Sequence, residues 1–264
     1  MSEKNILLIV EGERREKEFF NQVSKTFGLK FTIYTYKTNI YSLYSRLKNY
    51  DFNADIIDVL MELNSKQPNE VFLDKRFAYV YLIFDFDIQH NSQPGLLDYF
   101  NLKKNINQLK EMANYFNNET DPTIGKLYIN FPMFESYRDI DSFDDFTFKN
   151  RTCELSELKC YKEKTSHKKI TNIRVSSFSK LNFEQLAFLN LLKLNYLING
   201  VFASPSLEEY QLISLLELVK CEEDFVYKGF VSVVNCSALF IIDYFGNKNN
   251  YYNNLIDNLN RQFV

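Results

Sequence analysis

The run Ile6-Leu7-Leu8-Ile9-Val10 passes directly into Glu11-Gly12-Glu13, and later Tyr79-Val80-Tyr81-Leu82-Ile83-Phe84 passes into Asp85-Phe86-Asp87. The reading of these two stretches decides the fold. Short, near-continuous apolar runs are the mark of strands covered on both faces, as in a parallel sheet. In such sheets ligands and ions gather at the carboxyl ends of the strands, so both acidic clusters are expected on one edge. Carboxylates crowded together repel, and half-burying them is costly without a cation. An all-oxygen set with no Cys or His beside it suits Mg²⁺, or Mn²⁺ as a close substitute. If the second strand continues, the period-two spacing sets Asp85 and Asp87 on one face and turns Phe86 into the layer behind.

Working outward, residues 13–27 read as a helix, with Phe19, Phe20, Val23 and Phe27 on one face and Gly28 as its stop. Residues 31–36 alternate as a second strand, 41–47 and 55–63 read as helices, and 77–84 form the third strand. A polar loop at 90–94 precedes a long helix over 96–117, where Leu102, Ile106, Leu109, Met112 and Phe116 recur at helical spacing. A turn at 118–122 leads to a fourth short strand at 126–130. This alternation predicts an α/β fold: about four mainly parallel strands flanked by helices and joined by right-handed crossovers. Beyond Pro132 the pattern becomes helical, with helices expected at 183–198, at 205–219 with Ser204 as N-cap and Pro205 at the first position, and at 251–262. A boundary near Asn150 separates residues 1–150, the metal-binding domain, from 151–264, a mostly helical C-terminal extension that opens with a basic loop.

Composition narrows the class. The 264 residues are 45% hydrophobic with 7 Gly and 5 Pro, enough for a sizeable core and too few breakers for a long linker. The 25 Phe and 18 Tyr, with no Trp, are read as the trace of an AT-rich coding sequence. A net charge of -3 does not advertise nucleic-acid binding. Locally the balance differs: Lys149 to Arg174 holds eight basic residues against three acidic ones. Cys153, Cys160, Cys221 and Cys236 show no C-x-x-C spacing, so a structural zinc site is not expected. The N-terminus lacks a signal-peptide core, and residues 225–245 are interrupted by Lys228, Asn235 and Asp243. A reduced, cytoplasmic, soluble protein is expected.

A strand ending in V-E-G-E, an acid five residues after the first Glu at Glu16, and a later strand ending in D-F-D together resemble the Toprim domain of topoisomerases, bacterial primases, recombination proteins and OLD-family nucleases. The fuller wording V-E-G-E-x-x-E-x-x-F-F, D-F-D and then N-F-P-M-F-E-S-Y at 130–137 is most similar to the RloB-like, abortive-infection branch of that family. The resemblance spans roughly residues 5–137. It implies that Glu11, Asp85 and Asp87 bind Mg²⁺ for phosphoryl transfer on nucleic acid, and that Glu16 helps to hold a second metal. It further implies an antiviral defence effector working with a separate ATPase subunit, since no G-x-x-x-x-G-K-[ST] motif is present here.

Further residues enter from their placement. Glu135 follows the fourth strand and can reach the same edge; its alternative is an acid in the first turn of a helix. Glu13 carries the same two readings. Lys126 is a candidate for the positive group against a scissile phosphate, and His90 for an acid-base or phosphate contact. Lys159, Lys162, Lys164, Lys168 and Lys169 are candidates for nucleic-acid contact, or are plain solvated loop lysines. The leading expectation is a metal-dependent endonuclease acting on DNA or RNA. The competing ones are a Toprim module that binds a nucleotide or RNA without cutting, and an adaptor in a defence complex. No membrane partner is expected, and homo-oligomerisation is left open.

Overall fold

A computed structural model of the chain describes residues 5–64, 77–91, 98–121, 123–166 and 174–261. Its centre is a sheet of five strands in the order β2-β1-β3-β5-β4. These are β1 (Ile6–Val10), β2 (Phe31–Thr35), β3 (Tyr79–Asp85), β4 (Asn117–Asn118) and β5 (Gly125–Asn130). β1 pairs in parallel with both β2 and β3, and β3 with β5; the short β4 runs antiparallel on the edge. The expected four parallel strands are present, and residues 117–118, assigned by pattern to a helix end and a turn, add the antiparallel edge.

All five residues of β1 are buried, as are Val80 through Phe84 of β3. That is why these segments are apolar without alternation: each has helices over one face and further packing over the other. One face carries Phe31, Tyr81 and Tyr128. Phe20 of α1 (Arg15–Phe27) meets Phe31 and Phe240 edge-on, and Tyr81 meets Phe240 at 5.0 Å. Each such aromatic pair contributes about 0.5–1.5 kcal/mol beyond its buried area. α1 ends where Gly28 adopts the left-handed conformation at φ 65°, and its N–H returns to the carbonyl of Ser24.

α2 (Ile40–Lys48) begins at Asn39, whose side chain caps Ser42 N–H, and packs against α4 (Tyr99–Tyr115), which begins at Asp98. α3 (Ile56–Asn64) lies between α2 and β3 in the chain. The start expected for the long helix, near Leu96, lies outside the described residues.

After β5 the chain runs through 3-10 turns at Phe134–Arg138, Phe146–Asn150 and Leu155–Cys160, with β6 (Thr152–Glu154) and the short α5 (Tyr161–Thr165) among them. Residues 149–165 of the basic stretch read as a loop therefore lie largely in short regular elements. β6 pairs antiparallel with β7 (Phe230–Ser232), a ribbon that the sequence reading did not include. The 20-residue α6 (Lys180–Asn199) buries Phe183 and every residue from Leu186 to Asn195. The single helix expected at 205–219 is two helices, α7 (Leu207–Leu212) and α8 (Leu215–Tyr227). The correction has a local cause: Ser206 with Glu209, and Ser214 with Glu217, each form a complete capping box, so a new helix starts at each. Ser206, not Ser204, is the N-cap. α9 (Phe240–Phe245) and α10 (Tyr251–Asn260) complete the fold.

Candidate functional site

The strand order fixes where a ligand fits. The chain leaves β1 toward β2 on one side and returns past it to β3 on the other. The crevice outside the carboxyl ends of β1 and β3 is therefore the topological switch point of the sheet. Glu11 leaves the end of β1 and Asp85 ends β3. They meet there: Asp85 N–H donates to Glu11 Oε2 at 3.0 Å.

Two further acids close in. Glu16, buried on the first turn of α1, accepts from Gly12 N–H through Oε1 at 3.0 Å. Gly12 is needed for that approach, because a Cβ there would stand 2.5 Å from Glu16 Oε2. Glu135, buried in the 3-10 turn at Phe134–Arg138, follows Phe134, whose N–H donates to Asp85 Oδ1 at 2.7 Å. Thus Glu11, Glu16 and Asp85 are each fixed by a backbone amide that engages one oxygen.

Their proton affinities record the crowding. Burial, followed by the charges of Asp87 and Glu16, pushes Glu11 up from 4.5 to about 7, against the Asp85 amide and Lys162. Asp85 is raised well above the ordinary carboxylate range by burial and then by Glu11, Glu16 and Glu135. Burial also raises Glu16, where backbone amides work against it and Glu135 with it. Asp87 is raised by burial and partly offset by His90 and Lys162.

The strand does not continue through the D-F-D motif. Phe86 is fully buried as expected, but Asp87 turns into the left-handed region at φ 34°. Its carboxylate lies 3.9 Å from His90 Nδ1. That ring lies flat on Tyr41 at 5.2 Å and takes part in a hydrogen bond with Asn39 Nδ2. Tyr41 and Asn39 are site neighbours that no motif announced.

The other expected residues divide clearly. Lys162 on α5 is 3.4 Å from Glu135 Oε1, and its charge acts on Glu11, Glu16, Asp85 and Asp87. Burial works against its ammonium, but Glu135 and Asp85 outweigh it and raise its pKa. Lys126 is not brought to this edge. It pairs in register with Tyr81, four residues before Asp85, and binds Asp243 at 2.9 Å. Lys126 is the second residue of β5, so it stands near the amino end of the strand, opposite the edge that carries the acids. Glu13 is exposed and paired with Lys37. Lys164 pairs with Glu157, Lys159 is exposed, and Lys168 and Lys169 lie outside the described residues.

Among the described residues no three acidic, imidazole or thiol groups stand in a ready-made metal-ligand arrangement. The amide anchors turn one oxygen of each of Glu11, Glu16 and Asp85 toward the backbone. The donor chemistry nonetheless fits a hard divalent ion. All the clustered donors are carboxylate oxygens, and Glu135 Oε2 is buried with no hydrogen-bond partner. Lys162 engages only the other oxygen of this carboxylate, so Oε2 keeps its capacity to accept a cation. No protein-family model, curated protein or solved structure matches this chain.

Proposed function

We propose that the chain is a Mg²⁺-dependent nuclease of the Toprim type, hydrolysing phosphodiester bonds of DNA or RNA at the β1–β3 crevice. The observation that carries this reading is the meeting of Glu11 and Asp85 at the switch point, 3.0 Å apart from carboxylate to amide, with the unsatisfied Glu135 oxygen beside them.

Glu11, Asp85 and Asp87 would hold the ion, with Glu16 and Glu135 supporting a second. Bound there, Mg²⁺ or Mn²⁺ supplies Lewis-acid polarisation of a phosphate and a water of lowered pKa. The chain's own residues do the rest. The Asp85 and Phe134 amides hold the acids in place before substrate arrives. Lys162 offsets their mutual repulsion and offers a positive charge to an incoming phosphate. No protein nucleophile is required. The same reading makes the chain a defence effector of the abortive-infection kind whose ATP hydrolysis comes from a separate subunit.

The test uses plasmid DNA, single-stranded DNA and tRNA with Mg²⁺, Mn²⁺ or EDTA, beside Asp85→Asn and Glu11→Gln, with and without the product of an adjacent ATPase gene. Metal-dependent cutting lost in both variants is the expected result. Metal-dependent binding without cutting under every condition would replace the nuclease with a binding module, and neither cutting nor binding would leave an adaptor.

A further inference from the structure

Beside the acidic crevice, α2 and α4 turn polar stripes toward each other. Ser42, Ser45 and Arg46 on α2 and Asn49 at its C-cap recur at helical spacing, and Lys104 and Gln108 lie one turn apart on α4. Together with Tyr41, His90, Asn91 and Asn105 they line a cavity of about 430 Å³. Buried Asn105 donates to the carbonyls of Ile88 and His90, so the floor is held by side chain to backbone bonds. His90 joins the two sites, since it lines the cavity and faces Asp87.

The lining carries Arg46 and Lys104 and no carboxylate. Three other cavities each include acids: Glu119 and Asp243, Glu184, or Glu209 and Glu217. A cationic recess free of acids that abuts a cluster of carboxylates fits one kind of ligand, an anion long enough to lie across both. The balance of groups narrows it further. Amides and hydroxyls outnumber the two cations, which suits base edges and sugar hydroxyls more than phosphates alone. The partly exposed His90 ring, backed by the buried Tyr41 ring, adds one aromatic group to the lining. Base edges and ring faces are open to side chains where nucleotides are unstacked, and hidden inside a duplex.

We infer that the α2–α4 groove holds an unpaired nucleotide flanking the phosphodiester at the acidic edge, so that the substrate is a single-stranded or locally unpaired polynucleotide. The position of the cut bond rests on the nuclease reading; occupancy of the groove does not.

The test is fluorescence anisotropy on full-length Asp85→Asn protein in Mg²⁺, with labelled 12-nucleotide single-stranded RNA, single-stranded DNA and the corresponding blunt DNA duplex. Single strands are expected to bind at least about tenfold tighter than the duplex. Adding Arg46→Gln and Lys104→Gln should weaken single-strand binding about tenfold. It should also flatten the salt dependence by about 1.4 in log-log slope, for two phosphate contacts at about 0.7 each. Arg46→Lys should recover most of the affinity, and unchanged melting temperatures show that the variants fold. The RNA and DNA arms report which sugar the groove accepts. Equal or tighter duplex binding, unaltered affinity in the groove variants, or no binding to any strand would each overturn the inference. Groove-dependent single-strand binding by a wild-type protein that never cuts would remove the nuclease reading and leave the groove standing; cutting with groove-independent affinity would do the reverse.

Discussion

Replacing Glu11 by Gln should make the metal-free protein more stable at alkaline pH while removing the proposed metal-dependent cutting. The Gln side-chain oxygen can still accept the Asp85 amide hydrogen that Glu11 Oε2 accepts at 3.0 Å, so the anchor survives and only the charge is lost. Folding raises the Glu11 proton affinity from 4.5 to about 7, by burial first and then by Asp87 and Glu16. A carboxyl raised in this way favours the native state while protonated, and the contribution is lost as pH climbs through about 7. At about 1.4 kcal/mol per tenfold change in proton affinity, the ionised carboxylate costs the fold about 3 kcal/mol at pH 8 and below about 1 kcal/mol at pH 5. At about 2–4 °C per kcal/mol for a chain of this size, Glu11→Gln should melt about 6–12 °C higher than wild type at pH 8 in EDTA. The gap should narrow sharply at pH 5, and Mg²⁺ should stabilise wild type more than the variant. Thermal melts at both pH values, with and without Mg²⁺, read this directly. A variant that melts no higher than wild type at pH 8, or whose advantage is the same at pH 5, would refute the account of charge crowding.

Gly12→Ala should push the Glu16 carboxylate off the Gly12 amide, since the new Cβ would stand 2.5–2.8 Å from its carboxyl atoms. Cutting should fall about tenfold and stability by about 1–3 kcal/mol through the lost amide bond, as single-turnover assays and melts would show. Lys126→Gln should leave metal-dependent cutting unchanged and lower stability by about 1–3 kcal/mol through loss of its Asp243 ion pair, whereas Lys162→Gln should reduce cutting. Lys193→Met should lower stability by about 1–3 kcal/mol in urea unfolding. Buried Lys193 donates to the carbonyls of Lys149 and Arg151, which lose that donor, while the fully buried Glu222, raised by burial to about 8, is already largely protonated at neutral pH.

The parallel strands were legible because a strand covered on both faces must be apolar throughout, and few other settings tolerate Ile6-Leu7-Leu8-Ile9-Val10. The acidic edge was legible for the same reason, since the first charged residue after such a strand marks its end. What could not be read was the direction in which the chain turned afterward. Asp87 departs from period two because the backbone twists into the left-handed region, and nothing local in Asp85-Phe86-Asp87 requires that. Lys162 is 77 residues from Asp85 in sequence and reaches the acids by way of α5, which no periodicity announces. The break at Ile213 was present in the letters as two S-x-x-E boxes, overlooked beneath a continuous apolar pattern. The polar stripe on α2 was also visible, but its meaning required the facing residues of α4.

The segment at 234–237 is a strut beneath the acidic edge. Asn235 Nδ2 donates to the carbonyl of Phe134 and to Ser136 Oγ, and Ser237 donates to Asn130 Oδ1; all of these groups are buried. Phe134 in turn holds Asp85. Because synthesis proceeds from the N-terminus, a nascent chain carries every acid of the crevice long before it carries the strut that sets their spacing. A polypeptide that stops short of residue 234 would carry the acids without their brace, so the crevice is complete only after residues 234–237 have been made.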